Sequence, residues 1–217
     1  MFSAARLAAS FDAIRERLFA LPRQPQTRGD ALVAALMSRV GGEGVTTVAV
    51  GLARAVARAH TLRTLLIDYD AGARGAAAGL GVAAQAFAGW VAGAEAGARS
   101  ITEALIQVEP GRLDVLTLGP GVPSGFQADA LWSEAFALLR STYDVVLVDA
   151  GSTRNPQALR WARIADVRLL VLDTNRTTTE ELERFKVEWR AADQTLDAVV
   201  LSKRDYHVPG FLYRHVR

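Results

Sequence analysis

One stretch of the chain, Ser38-Arg39-Val40-Gly41-Gly42-Glu43-Gly44-Val45-Thr46-Thr47, has the residue types and spacing of a phosphate-binding turn. Glycines let backbone N–H groups turn inward around an anion, and a helix starting at the turn adds the positive end of its dipole. A complete loop of this kind also carries a lysine that reaches the β- and γ-phosphates and a Ser or Thr hydroxyl for Mg2+. Gly41, Gly42, Glu43, Gly44, Thr46 and Thr47 supply cradle and hydroxyl, but Val45 stands where the lysine belongs. Two aspartates extend the constellation. Asp68 ends the apolar run Leu65-Leu66-Ile67, and Asp149 ends Val146-Leu147-Val148. At the carboxyl edge of parallel strands, where open α/β sheets bind ligands, Asp149 would act on Mg2+ through water and Asp68 would orient a nucleophile. Each feature alone has an ordinary structural counterpart, a tight turn or a helix-capping aspartate. Their joint order points to phosphate chemistry.

Such residues need a sheet to hold them, and the chain alternates short apolar runs with helical segments. Strands are predicted at Leu32–Met37, Arg63–Ile67, Leu113–Leu118, Asp144–Val148, Arg168–Leu172 and Ala198–Leu201. Most are continuous apolar runs, as strands covered on both faces are. Helices are predicted at Val45–Arg58, Gln127–Arg140, Asn155–Ile164 and Thr179–Ala191, the last opened by Thr178, Thr179, Glu180 and Glu181. Residues 71–100, rich in Ala and Gly, read as a loop with short helices. The expected fold is α/β, P-loop NTPase-like (Rossmann-like), a doubly wound and mainly parallel sheet with helices on both faces.

The 217 residues divide into an N-terminal amphipathic helix and a Pro-containing linker (1–30), an α/β domain (31–203) and a basic, aromatic tail (204–217). A net charge of +2 leaves no footprint for nucleic acid, and at most a weak attraction to an anionic membrane face. Lys186 and Lys203 are the only lysines, and neither is near the loop in chain order. The absence of cysteine excludes a disulfide framework and thiolate metal sites. With charges spread between Met1 and Leu21, no uninterrupted apolar core there resembles a secretion signal, and no run approaches the roughly 18 apolar residues of a membrane helix. The expected location is the cytoplasm, including the inner face of the inner membrane. His60, His207 and His215 have no metal-ligand spacing, and no nucleophile elbow is present. Trp132, Trp161 and Trp189 are expected to pack in a core or an interface.

On these motifs the chain resembles the bacterial tyrosine kinases of capsule and exopolysaccharide systems, and their MinD/ParA-type ATPase relatives. The family pattern S-x-x-P-G-E-G-K-[ST]-T is similar to Ser38–Thr47, L-L-I-D-x-D to Leu65–Asp70, and Y-D-x-V-I-I-D to Tyr143–Asp149. Leu113–Gly119 is similar to the L-x-V-L-x-x-G before the family's proline-rich loop, and the likeness spans roughly Ala31–Leu201. Asp12, Arg15 and Arg17 loosely match the family's E-x-x-R-x-x-R oligomerisation helix. The resemblance implies ATP or ADP with Mg2+ at Gly41–Thr47 and Asp149, with Thr46 and Asp149 toward the metal. It also implies homo-oligomers, and an inner-membrane chain-length (co-polymerase) protein as partner.

The departures bear on activity. Val45 replaces the loop lysine, and Val40 the second lysine of MinD/ParA relatives. Ala71-Gly72-Ala73 follows Asp70 in place of D-x-R-x-P, and Ala150-Gly151 follows Asp149 in place of T-P-P. Only Tyr206 and Tyr213 stand in the tail where active members carry a tyrosine cluster, and Ser202 replaces an asparagine beside the adenine. Removing one preorganised donor from a charge-stabilising site costs about 10²–10³ in rate, and a lysine facing a triphosphate is a full charge. The expectation is a kinase-like accessory protein with weak or absent catalysis, its Asp68 and Asp149 vestigial. The alternatives are an active ATPase or autokinase with an arginine-assisted site (Arg39, Arg74 or Arg154), and a MinD/ParA-type positioning protein.

Overall fold

The computed structural model describes residues 4–21, 31–59, 62–69, 75–82, 101, 104–118 and 136–203. The elements are α1 (Ala4–Ala20), β1 (Leu32–Ser38), α2 (Val45–Ala59), β2 (Thr64–Asp68), α3 (Ala76–Leu80), β3 (Ile106–Glu109), β4 (Leu113–Thr117), β5 (Val145–Ser152), α4 (Pro156–Ile164), β6 (Val167–Asp173), α5 (Thr179–Ala191) and β7 (Ala198–Ser202). Residues 136–142 are also helical; the N-terminal part of the predicted 127–140 helix, like the predicted linker and the tail from 204, lies outside the described residues.

The strands form one seven-stranded sheet in the order β3-β4-β2-β5-β1-β6-β7. Every pairing is parallel except β3 with β4. β1 is buried along its whole length between β5 and β6. Because alternate side chains leave opposite faces, Leu32, Ala34 and Leu36 join one apolar layer with α2, α3 and Leu18 of α1. Val33, Ala35 and Met37 join the other, with Phe136, Trp161 of α4, and Phe185 and Trp189 of α5. Two-sided burial is why these strands are apolar runs without alternation. The doubly wound expectation holds.

One strand was missing from the expectation. Ile106-Gln107-Val108-Glu109 pairs antiparallel with β4 across a turn at Pro110-Gly111-Arg112, and Gly111 has φ +71. Alternation followed by Pro-Gly is a hairpin signal, obscured here by the Ala/Gly-rich segment before it. At the other end, α5 starts as expected: Thr178 accepts from the Glu181 N–H while the Glu181 carboxylate accepts from the Thr178 N–H, a reciprocal capping box. Trp161 and Trp189 are core residues; Trp132 lies outside the described residues.

The N-terminal helix folds back on its own chain. Phe11 covers Gly51 of α2, and Arg15 pairs with Asp12 at 2.9 Å while reaching the Ala55 carbonyl of α2. A Cβ at position 51 would overlap the Phe11 ring. Alanine normally gains about 1 kcal/mol over glycine in mid-helix. Gly51→Ala is instead expected to lose about 1–3 kcal/mol through overpacking. Removing residues 1–20 should restore the ordinary sign, as thermal melts of the four variants would read; a gain in the full chain would refute the α1–α2 packing.

Candidate functional site

The C-terminal edge of the sheet opens where the connections diverge. From β1 the chain crosses to β2 on one side of β5, and from β5 it crosses to β6 on the far side of β1. Adjacent strands that lead away in opposite directions leave a crevice between their carboxyl ends. The glycine-rich turn follows β1 into this crevice and ends where α2 begins at Val45. Asp149 lies on β5 opposite Leu36 of β1 and in register with Asp68 of β2. Both aspartates share the face of Leu66 and Leu147, toward α2, and both are buried. The sequence placed them in one crevice, and they are neighbours across one strand pair.

The turn depends on its glycines. Gly42 has φ +85 and Gly44 φ +99, left-handed values that favour glycine, and the Val48 N–H closes the first helical bond onto the Gly44 carbonyl at 3.0 Å. Its shape is held from several sides. The fully buried Glu43 carboxylate accepts from the Val40 N–H at 3.0 Å and from the Thr177 hydroxyl at 2.7 Å. The Ser202 hydroxyl, at the end of β7, donates to the Glu43 carbonyl. Ser152 donates its hydroxyl to the Arg39 carbonyl at 3.0 Å, and the Thr153 N–H reaches the Ser38 carbonyl at 2.8 Å. Those last bonds use the segment Ala150–Thr153, where the resemblance led one to expect Thr-Pro-Pro; Gly151 takes φ +67 and its N–H returns to the Asp149 carboxylate at 3.2 Å.

Val45 is the decisive departure in three dimensions too. Its side chain is 6 % exposed and packs in the apolar layer with Val48 and Leu36. Thr46 is half-buried and Thr47 exposed at the start of α2. Chain order hid a cation, however. Because β7 pairs with β6, Lys203 arrives at the loop, its amine donating to the Gly42 carbonyl at 2.8 Å and to Asp173 at 2.9 Å. Arg176, in the β6–α5 connection, points one guanidinium nitrogen at the Gly41 carbonyl at 3.5 Å. Of the three arginines suggested by the sequence, Arg39 is paired with Glu181 at 2.7 Å, Arg154 is exposed, and Arg74 lies outside the described residues, as do Asp70, Tyr206 and Tyr213. The signal that would have found Lys203 is its place directly after an apolar run ending in Ser202, since such a strand end reaches the same sheet edge as the loop.

Lys203 sets the charge of its partner. Its hydrogen bond is the main force holding the buried Asp173 carboxyl below the usual carboxylate range, against the burial that raises it. As for metal, the oxygens of Thr46, Asp149, Asp68 and the neighbouring Thr117 are the donors a hard cation takes, and the Thr117 hydroxyl is buried without a hydrogen-bond partner among the described residues. The residues present therefore fit Mg2+, whereas for a triphosphate the loop has the cradle without its lysine. Among the described residues no cluster of three or more His, Cys, Asp or Glu could hold an ion by itself, and no helix is long and apolar enough to cross a membrane. Asp12 and Arg15 pair with each other and Arg15 also reaches α2, leaving Arg17 exposed.

No protein-family model matches the sequence, and no curated protein matches it as a relative. Solved structures match the fold. The VpsO kinase domain superposes with a TM-score of 0.68 at 24 % identity, covering 92 % of this chain and 95 % of that one. The kinase domain of the Escherichia coli tyrosine kinase ETK gives 0.66 at 19 %, covering 93 % and 79 %. The MinD cell division protein of Aquifex aeolicus gives 0.64 at 20 %, covering 85 % and 72 %. The chain thus has the P-loop NTPase-like α/β fold that tyrosine-kinase domains and MinD/ParA ATPases share.

Lys203→Met leaves the buried Asp173 without its cationic donor, and is expected to cost about 1–3 kcal/mol at neutral pH. Because the folded-state carboxyl is depressed, its contribution is present above the unfolded value of about 3.9 and fades as pH falls through the lower folded value. The variant should therefore also show a shallower acid-side loss of stability. Denaturant melts from neutral to acid pH read both; parallel curves for variant and wild type would refute the coupling.

Proposed function

We propose that this chain is a kinase-like accessory protein of bacterial exopolysaccharide synthesis or export, with weak or absent catalysis, working beside an inner-membrane chain-length (co-polymerase) protein. The observation that carries the reading is Val45, an apolar side chain packed into the α2 layer at the place of the phosphate-binding lysine. Support for the pathway is the likeness of the loop and both acidic motifs to exopolysaccharide tyrosine kinases, together with the shared fold. A role through protein contact needs the sheet and its surface, and turnover is not part of it.

At the site, the backbone of Gly41–Thr47 and the dipole of α2 would receive a phosphate, weakly. Mg2+, when bound, supplies positive charge opposite the phosphates. Thr46 and Asp149 would hold it, and Asp68 would orient a nucleophile. Self-association and contact with the membrane partner through α1 would use Arg17 and Leu7, which are exposed, because Arg15 is engaged with α2. Contact with the inner face of the membrane would be peripheral.

A second reading, an ATPase or autokinase with a non-standard phosphate site, is favoured by Lys203 and Arg176 beside the loop carbonyls. Their amine and guanidinium are, among the described residues, the cations best placed to stand in for the absent lysine.

Steady-state ATP hydrolysis with Mg2+ separates the two. The purified chain, alone and with the cytoplasmic segment of its membrane partner, is expected to turn over at least about 100-fold more slowly than a lysine-bearing loop. Val45→Lys should raise nucleotide affinity while lowering the melting temperature, because the new side chain leaves an apolar layer. Turnover at the rate of ordinary tyrosine kinases, abolished by Asp149→Ala, would overturn the accessory reading. So would failure of the chain to bind that cytoplasmic segment in any nucleotide condition.

A further inference from the structure

Thr117, at the last position of β4, interrupts an apolar pattern. β4 presents Leu113, Val115 and Thr117 to one face, and the first two are apolar members of the α2 layer. A third apolar side chain would continue that pattern. Instead Thr117 is 0 % exposed, and its hydroxyl has no hydrogen-bond partner among the described residues. Burying a hydroxyl unpaired costs free energy that valine, of the same shape, would avoid. The position is also specific. Thr117 is in register with Asp68, and Asp68 with Asp149, so three oxygen-bearing side chains form one row across β4, β2 and β5. All three lie on the same face at the carboxyl edge, and Asp149 pairs with β1, the strand that leads into the glycine loop.

We propose that Thr117 belongs to a divalent-cation site in this row, where its hydroxyl accepts a hydrogen bond from a water of the cation's shell. Mg2+ and similar hard cations bind carboxylate oxygens, dehydrate reluctantly and keep several waters, so a buried neutral acceptor one strand from Asp68 and two from Asp149 suits an outer position. This rests on the phosphate-loop reading of the crevice, and is independent of whether the site turns over. The geometry needs only the sheet register, which Val45 does not disturb.

The test is a titration of the full chain with manganese(II), read by the electron paramagnetic resonance of the free ion and by the melting temperature. Wild type should bind the ion and melt higher in its presence. Thr117→Val should bind about tenfold more weakly, the typical effect of removing an outer-shell partner, while Thr117→Ser should keep the affinity. Without metal, Thr117→Val should melt at or above the wild-type temperature, which excludes misfolding as the cause. Asp149→Ala should abolish binding. The proposal is overturned if wild type does not bind manganese, if Thr117→Val binds it as tightly as wild type, or if Asp149→Ala leaves affinity unchanged. None of these results touches partner binding, on which the accessory reading stands or falls separately.

Discussion

The parallel pairing of β1 between β5 and β6 is the constraint from which the rest follows. A strand flanked on both edges and covered on both faces has no exposed surface, so its side chains must be apolar and its backbone groups must be satisfied by its neighbours. Its carboxyl end is the one place where it can emit a functional turn, and there the connections diverge. Placing β5 on one side brings Asp149, and beyond it Asp68, to the turn. Placing β6 and then β7 on the other brings Asp173, Ser202 and Lys203. The acidic flank and the cationic flank of the crevice are therefore two consequences of one strand order.

That order also accounts for how the glycine-rich turn is held in place. In a complete loop the lysine and its ligand would contribute to holding the turn. Here Glu43 turns its carboxylate into the protein, where the Val40 N–H and the Thr177 hydroxyl meet it, and Lys203 and Ser202 secure the adjoining carbonyls. These bonds come from β7 and the β6–α5 connection, remote in sequence and adjacent in space. Val45 meanwhile takes part in the packing of α2.

The sheet was legible because continuous apolar runs that end in aspartate suit the covered strands of a parallel sheet and little else. Turn glycines and the Thr178–Glu181 cap, in addition, mark element ends by local chemistry. β3 escaped because its four residues carry little apolar weight and are half-exposed on an edge. Of the candidate site, the glycine loop, Asp68 and Asp149 could be read, since each sits at a strand end with a local signature. Lys203 had only its place after the β7 run as a signal, and Arg176 and Thr117 had none, because their roles depend on which strands are neighbours and a linear sequence does not state strand order. Arg15 shows the reverse: a residue resembling part of an oligomerisation pattern is engaged within its own chain by Ala55, a contact visible only after α1 and α2 pack.

The many tethers on the loop bear on what a ligand could change there. In nucleotide switches, a segment gains order when the terminal phosphate arrives and loses it on hydrolysis, so that partners can tell the two states apart. Here Glu43, Ser202, Ser152 and Lys203 order the turn through bonds made when the chain folds. On the accessory reading proposed above, a turn ordered in this way would leave a ligand little conformational entropy to remove, and a partner touching this edge of the sheet would meet one relief with or without nucleotide: a constant, not a clock.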